Sequence, residues 1–195
     1  MEKPDAPSCL RNRAPILALL RDHFADRRKV LEIGSGTGQH AIFFAAALPH
    51  LVWQTTEQRQ NLAGIQAWLD EAALPNTPAP LELDVNEVWP TQRFDAVFSA
   101  NTLHIMNWGE VEQLFACLPD VMTNDAMLAI YGPFNYAGQF TSESNAAFDA
   151  WLKERNPHQG LRNFEAVNAL AAQAGLKLVE DHLMPSNNRC LVWRR

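Results

Sequence analysis

The stretch Val30–Ala45 reads V-L-E-I-G-S-G-T-G-Q-H-A-I-F-F-A, and its layout decides the fold. Val30, Leu31 and Ile33 form a short apolar run, broken by Glu32 and preceded by the basic cluster Arg27-Arg28-Lys29. Glycines follow at Gly34, Gly36 and Gly38, then an apolar run at helical spacing from Ala41 to Leu48. Strand, glycine turn, helix is the arrangement that brings a backbone close to a nucleotide-like ligand at a helix N-terminus. A dinucleotide fingerprint, G-x-G-x-x-G, needs a small residue at position 39, which here is Gln39. The pattern is instead E-x-G-x-G-x-G. An acid at the strand end repels a pyrophosphate and suits a ligand that carries an ammonium group.

A glycine triplet alone also reads as a tight strand-to-helix turn and nothing more, so the acids downstream matter. Leu51–Glu57 is a β-rich run ending in an acid about 20 residues past the glycines, where one carboxylate accepts from both hydroxyls of a ribose. Leu81–Val85 is a third short strand, ending at Asp84. Glu57 or Asp84 taken singly is a solvated strand-end charge. Three acids at the carboxyl ends of successive strands make a set. The pattern resembles motif I of the class I S-adenosylmethionine-dependent methyltransferases. That resemblance implies S-adenosyl-L-methionine as cofactor, with Gly34, Gly36 and Gly38 passing under it and Glu32 facing its methionine amine. It further implies that Glu57 holds the ribose, that Asp84 takes the adenine amine and that the Val85 amide reads the ring. An NAD-dependent oxidoreductase is the weaker reading, because of Gln39 and Glu32.

The remaining chain alternates between the two periods. Helices are expected at 12–24, 61–74, 111–122 and 164–174, and strands at 94–100 and 126–131, with a closing hairpin of 176–183 and 189–193. The expected architecture is α/β: a Rossmann-like, doubly wound sheet of seven strands, mostly parallel, with an antiparallel C-terminal strand. Residues 1–195 read as a single domain, with the polar segment 132–163 as a lid-like insertion or a plain surface loop.

Composition narrows the partners. The 195 residues are 47% hydrophobic and 19% charged, ordinary for a globular chain, and the net charge of −6 supplies no basic field for a nucleic acid. No apolar run approaches the ~20 residues that span a bilayer. Cys9, Cys117 and Cys190 are isolated, and with no signal sequence the expected compartment is the cytoplasm. None of the six histidines has an H-x-x-x-H partner, so no metal site is expected.

Ligands of such sheets bind outside the carboxyl ends of the strands, near the switch in strand order. That rule selects Asn101–Ile105, Tyr131–Asn135 and Met184–Asn188 beside the cofactor residues, with Asn101 on the cofactor side. Over nearly its whole length the chain is also similar to a methyltransferase-like family classed as a domain of unknown function. The similarity rests on Arg11–Leu17 (R-N-R-A-P-I-L), Asn101–Ile105 (N-T-L-H-I), Gly132–Asn145 (G-P-F-N-Y-A-G-Q-F-T-S-E-S-N) and Met184–Asn188 (M-P-S-N-N). Two positions depart from it: Glu57, more commonly Asp, and His158-Gln159-Gly160, where a Trp is expected before the glycine.

Methyl transfer from a sulfonium is an in-line displacement, so positioning in a dry pocket supplies most of the acceleration. A base is needed only for a protonated nucleophile, and His104 is the candidate, with a turn-holding histidine as its plain alternative. Tyr131, Asn135, Asn187 and Asn188 are candidates to orient an acceptor, and Arg13 and Arg162 to clamp a carboxylate. Tyr131 reads equally as a core aromatic, and Asn187-Asn188 as turn residues. The expected partner is a small polar molecule, with neither nucleic acid nor membrane. A cofactor-binding module without turnover is the non-enzymatic alternative.

Overall fold

Strand β1 (Lys29–Ile33) is the pivot of the molecule, because it pairs in parallel with a strand on each side. On one side lies β2 (Val52–Glu57), with Ile33 opposite Thr56, and on the other β4 (Phe94–Ala100), with Glu32 opposite Phe98. The computed structural model describes residues 3–195. With β3 (Leu81–Glu82), β5 (Met122–Gly132), β8 (Lys177–Met184) and β9 (Asn188–Arg194), the sheet runs β3-β2-β1-β4-β5-β9-β8. Only β9 runs against its neighbours. The expected sheet is therefore present, with its reversal of strand order between β1 and β4.

Burial on both faces explains the strand sequences. Every residue of β1 after Lys29 is buried, and β4 is nearly continuous in the same way, as parallel strands covered by helices require. Helices α1 (Pro7–His23) and α2 (Gln39–Ala47) cover one face, packing Ile16, Leu20 and Phe44 on Val30, Trp53 and Phe98. Helices α4 (Trp108–Val121) and α6 (Phe164–Gln173) cover the other, packing Leu114, Leu118 and Val167 on Leu31, Val97 and Trp193. Helix α3 (Leu62–Ala72) contacts α2 and β2 through its buried residues Ile65 and Leu69.

Several boundaries differ from the sequence expectation. Helix α1 begins at Pro7, in the first turn where the missing amide costs little, so that Pro15 falls inside the helix. Strand β3 stops at Glu82, leaving Asp84 in the loop beyond it. The segment 132–163 is no plain loop. It holds β6 (Phe134–Asn135) and β7 (Arg162–Asn163), paired in parallel, and between them α5 (Glu143–Arg155). Helix α5 lacks an apolar stripe, which hid it, but its ends are well formed. Ser142 Oγ accepts from the Asn145 amide at 3.1 Å, and Lys153 and Arg155 occupy the last turn, where they complement the helix dipole. No helix among the described residues is long and apolar enough to cross a membrane.

An aromatic cluster joins α2 to the sheet. The Phe44 ring lies 5.4 Å from Trp53 and 5.5 Å from Phe98, and all three are fully buried. Truncation here leaves a cavity that rigid neighbours cannot close. Phe44→Ala is expected to lower the unfolding free energy in urea by about 3–5 kcal/mol.

Candidate cofactor site

The loop that follows β1 has the left-handed backbone its glycines permit. Gly34 has φ +71°, and a Cβ there would stand 2.7 Å from Thr102 Cγ2, so this glycine lets the loop lie against the turn after β4. Gly36 has φ +57°, and a Cβ there would meet nothing within 4 Å, because the residue faces open space. Gly38 closes the loop as the residue before α2.

That open space is a cavity of about 1020 Å³ at the carboxyl ends of β1, β2, β3 and β4. Of the sequence-selected cofactor residues, Gly34, Gly36, Glu57, Asp84, Val85 and Asn101 line it. The Glu57 carboxylate accepts from the Gly36 amide at 3.0 Å and from its neighbour Gln58 at 2.9 Å. Asp84 accepts from the Asn86 amide at 2.9 Å. A carboxylate has about four acceptor positions, so each retains capacity for a ligand donor. Asn101 has φ +58°, and its amide donates to the Tyr131 carbonyl at 2.8 Å.

Glu32 is placed differently from the sequence expectation. Its side chain lies behind the loop, 2% exposed, and is no part of the cavity wall. Oε2 accepts from Ser35 Oγ at 2.9 Å and from Trp53 Nε1 at 3.0 Å. Burial pushes its carboxyl up to about 7, against the lowering effect of those two donors. Glu32 therefore braces the loop from below. A ligand ammonium group has no direct contact with it.

The segment leading into α1, with the first turn of that helix, supplies a wall that sequence reading missed. Pro4, Ala6, Ser8 and Cys9 line the cavity, held down by three bonds. The Ala6 amide donates to Gln39 Oε1 at 2.7 Å, Gln39 Nε2 to Asp5 Oδ1 at 2.8 Å, and Trp68 Nε1 to the Pro4 carbonyl at 2.8 Å. Gln39, the residue that breaks the dinucleotide pattern, is thus the clasp of this strap. The departure itself was the signal. His40 also lines the cavity; its Nε2 pairs with Asn12 Oδ1 at 2.7 Å, and burial holds the imidazole down to about 4. Burial raises the neighbouring Cys9 thiol, so this pair is not poised as a thiolate and imidazolium.

The residues selected for substrate and catalysis are not brought together. His104 lies 6% exposed against Phe148, with ring centroids 5.3 Å apart, and does not line the cavity. Its carbonyl accepts from the Gly160 amide at 3.0 Å, and burial beside Arg162 lowers its imidazole to about 4, so it is neutral near pH 7. Arg162 is no free carboxylate clamp: its guanidinium donates to the carbonyls of Leu103, Met106 and His158, pinning the turn after β4. Arg13 stacks on Phe43 at 4.4 Å. Tyr131 belongs to the core beneath α1, where burial lifts its phenol to about 12. Asn187 and Asn188 stitch the hairpin turn, Asn187 Nδ2 reaching Ser144 Oγ at 3.2 Å and Asn188 Nδ2 the Pro185 carbonyl at 3.1 Å. Asn135 is buried with Oδ1 unpartnered. The side of the cavity away from Glu57 is instead formed by Ile105, Met106, Asn107, Asn156, His158 and Gln159.

The fold is shared with solved methyltransferase structures. The chain belongs to the family described as "Protein of unknown function (DUF938)", whose model matches residues 3–195. Among solved structures it is similar to an O-methyltransferase family protein from Burkholderia thailandensis, at 16% identity and a TM-score of 0.84, covering 96% of this chain and 57% of that one. The S-adenosylmethionine-dependent methyltransferase SibL gives 19% identity and a TM-score of 0.82, covering 96% and 55%. The N,N-8-amino-8-demethyl-D-riboflavin dimethyltransferase from Streptomyces davawensis gives 19% identity and 0.77, covering 96% and 54%. The chain thus spans little more than half the length of these structures.

The raised Glu32 carboxyl has a consequence for stability. An acid whose pKa is higher folded than unfolded stabilises the fold fully below its unfolded value, 4.5, and loses that contribution as pH rises through about 7. Relative to Glu32→Gln, the native chain should lose roughly 2–3 kcal/mol of unfolding free energy between pH 4.5 and 7.5, as measured by urea midpoints.

Proposed function

We propose that the chain is an S-adenosylmethionine-dependent methyltransferase that acts on a small polar molecule. The observation that carries this reading is the cavity at the strand carboxyl ends, with Glu57 and Asp84 on its wall and the bare backbone of Gly36 on its floor. Its volume of about 1020 Å³ suits a nucleoside-sized cofactor together with a small acceptor. Glu57 would accept from the ribose hydroxyls and Asp84 from the adenine amine, while the Val85 backbone flanks the ring. Bound there, S-adenosylmethionine supplies a methyl group on a sulfonium, open to in-line displacement. The strap 4–9 and the turn before β7 flank the two ends of the cavity, and any water they displace on ligand binding would strengthen the fixed dipoles that orient the reactants.

The same geometry weighs against a dinucleotide. Glu57 Oε2 already takes the Gly36 amide, which sets a carboxylate where a pyrophosphate needs free amides. The acceptor would lie between the N-terminus of α4 and the turn carrying Asn156, His158 and Gln159, which line the rest of the cavity. If its nucleophile is protonated, His158 is the imidazole on the cavity wall that can take the proton, whereas His104 holds the neighbouring turn from behind. A concave, polar-rimmed cavity of this volume suits a small molecule. The riboflavin-derivative and O-methyltransferase names of similar structures are consistent with nitrogen and oxygen acceptors alike.

Calorimetric titration with S-adenosylhomocysteine is expected to give one site per chain, weakened about 10–100-fold in Asp84→Ala. Absence of binding at millimolar ligand would sink the cofactor reading. Cell extract incubated with isotopically labelled methyl donor should label the small-molecule fraction; label confined to macromolecules overturns the acceptor class, and binding without any label favours the module that does not turn over. With an acceptor in hand, His158→Ala should lower kcat more than His104→Ala does.

A further inference from the structure

Away from the cavity, three side chains from distant parts of the chain converge on one point. His23 is the last residue of α1, and Glu180 and His182 lie on the edge strand β8, 157 and 159 positions along the chain from it. On β8 these two residues alternate to the face whose neighbours are Val192 and Cys190, the face that α1 covers. Asp181 points the other way, to Tyr136 and Arg189. His23 Nε2 lies 3.3 Å from His182 Nε2 and 3.1 Å from Glu180 Oε2, and His182 Nε2 lies 2.6 Å from that oxygen.

Hydrogen bonding alone leaves this triad in conflict. For Glu180 Oε2 to accept from both imidazoles, both Nε2 atoms must carry hydrogen, and those hydrogens are then crowded across the 3.3 Å gap. If one Nε2 lacks its hydrogen, a nitrogen lone pair faces the carboxylate oxygen. A cation at the centre removes the conflict, because all three atoms then act as donors of electron pairs. Tetrahedral Zn²⁺, with ligands at about 2.0–2.2 Å, holds them about 3.3 Å apart, which two of the three separations match within a few tenths of an ångström. The third, His182 to Glu180, has to open by a rotation of an exposed carboxylate. The side chains are 15%, 24% and 45% exposed, so the ion has a path in and water can complete its shell.

We propose that His23, Glu180 and His182 form a Zn²⁺ site that clips the end of α1 to the edge of the sheet. None of the three lines the cofactor cavity, so the site is independent of methyl transfer. Its donor set of two imidazoles and one carboxylate is borderline in softness and selects a late divalent ion over Mg²⁺ or Ca²⁺. Because the ligands come from the two ends of the chain, the ion closes a long loop and binds the folded state alone. Sequence spacing missed the site because it weighed histidine pairs on one helix, whereas here one ligand is separated from the other two by nearly the whole fold.

The test uses the untagged chain, stripped with a chelator and titrated with Zn²⁺ against a chromogenic competitor. One ion per chain is expected, with a thermal midpoint that rises with Zn²⁺ concentration and not with Mg²⁺. Glu180→Gln and His182→Ala should each weaken Zn²⁺ binding by more than about 100-fold, beyond the 10–100-fold that loss of an outer-shell partner costs. Both variants should keep the affinity of the parent for S-adenosylhomocysteine, which shows that they are folded and separates this test from that of the proposed function. No saturable Zn²⁺ binding, the result for a hydrogen-bonded triad only, overturns the proposal. So does stoichiometric binding that survives both substitutions, since the ion would then lie elsewhere.

Discussion

The buried carboxylate of Glu32 is the interaction on which the site depends. It collects the Trp53 indole from β2 and the Ser35 hydroxyl from the glycine loop, so one side chain fixes the loop to the neighbouring strand. The backbone repeats the tie: Thr56 Oγ1 donates to the Glu32 carbonyl at 2.7 Å, and the Ser35 amide donates to the Thr56 carbonyl at 2.9 Å. Through Trp53 the same carboxylate reaches the aromatic cluster under α2. Core, strand pairing and ligand loop thus meet at one partly protonated group, whose desolvation is tolerable because two donors face it.

The fold was legible in the sequence wherever one physical period dominated. β1 and β4 are mostly apolar because both faces are buried, and β4 occupies the very residues, 94–100, that its composition selects. Gly34 and Gly36 announced the loop because left-handed backbone beside Thr102 and beside open space admits little else. Helix α5 was illegible for the converse reason. With few of its residues buried, its existence depends on Ser142 at one end, Lys153 and Arg155 at the other, and packing on the hairpin turn through Asn145 and Asn187.

The site divides in the same way. Residues that follow a strand end in the regular α/β pattern, Glu57, Asp84, Val85 and Asn101, stand where the topology rule sends them. Residues chosen for their chemistry do not, and neither does Tyr131, which the same topology rule selected. Arg13, Arg162 and Tyr131 are polar or amphipathic groups spent on a stacking contact, three carbonyls and the core. A sequence shows which groups are capable of a task. It does not show which of them the fold has already engaged. His158 and Gln159 are the counterexample, since a departure from family pattern marked them before their place on the wall was known.

The strap of residues 4–9 carries a consequence for kinetics. A nucleoside-sized cofactor of the kind proposed would lie against a segment held by Gln39 and Trp68, so its exchange would be coupled to fraying of the chain that leads into α1. Such fraying is a low-energy, local opening that needs no unfolding of the sheet. Residence time of that cofactor would then report the lifetime of three hydrogen bonds, and a bulky group joined ahead of Pro4 would act on the rate of exchange while leaving the wall of the cavity unaltered.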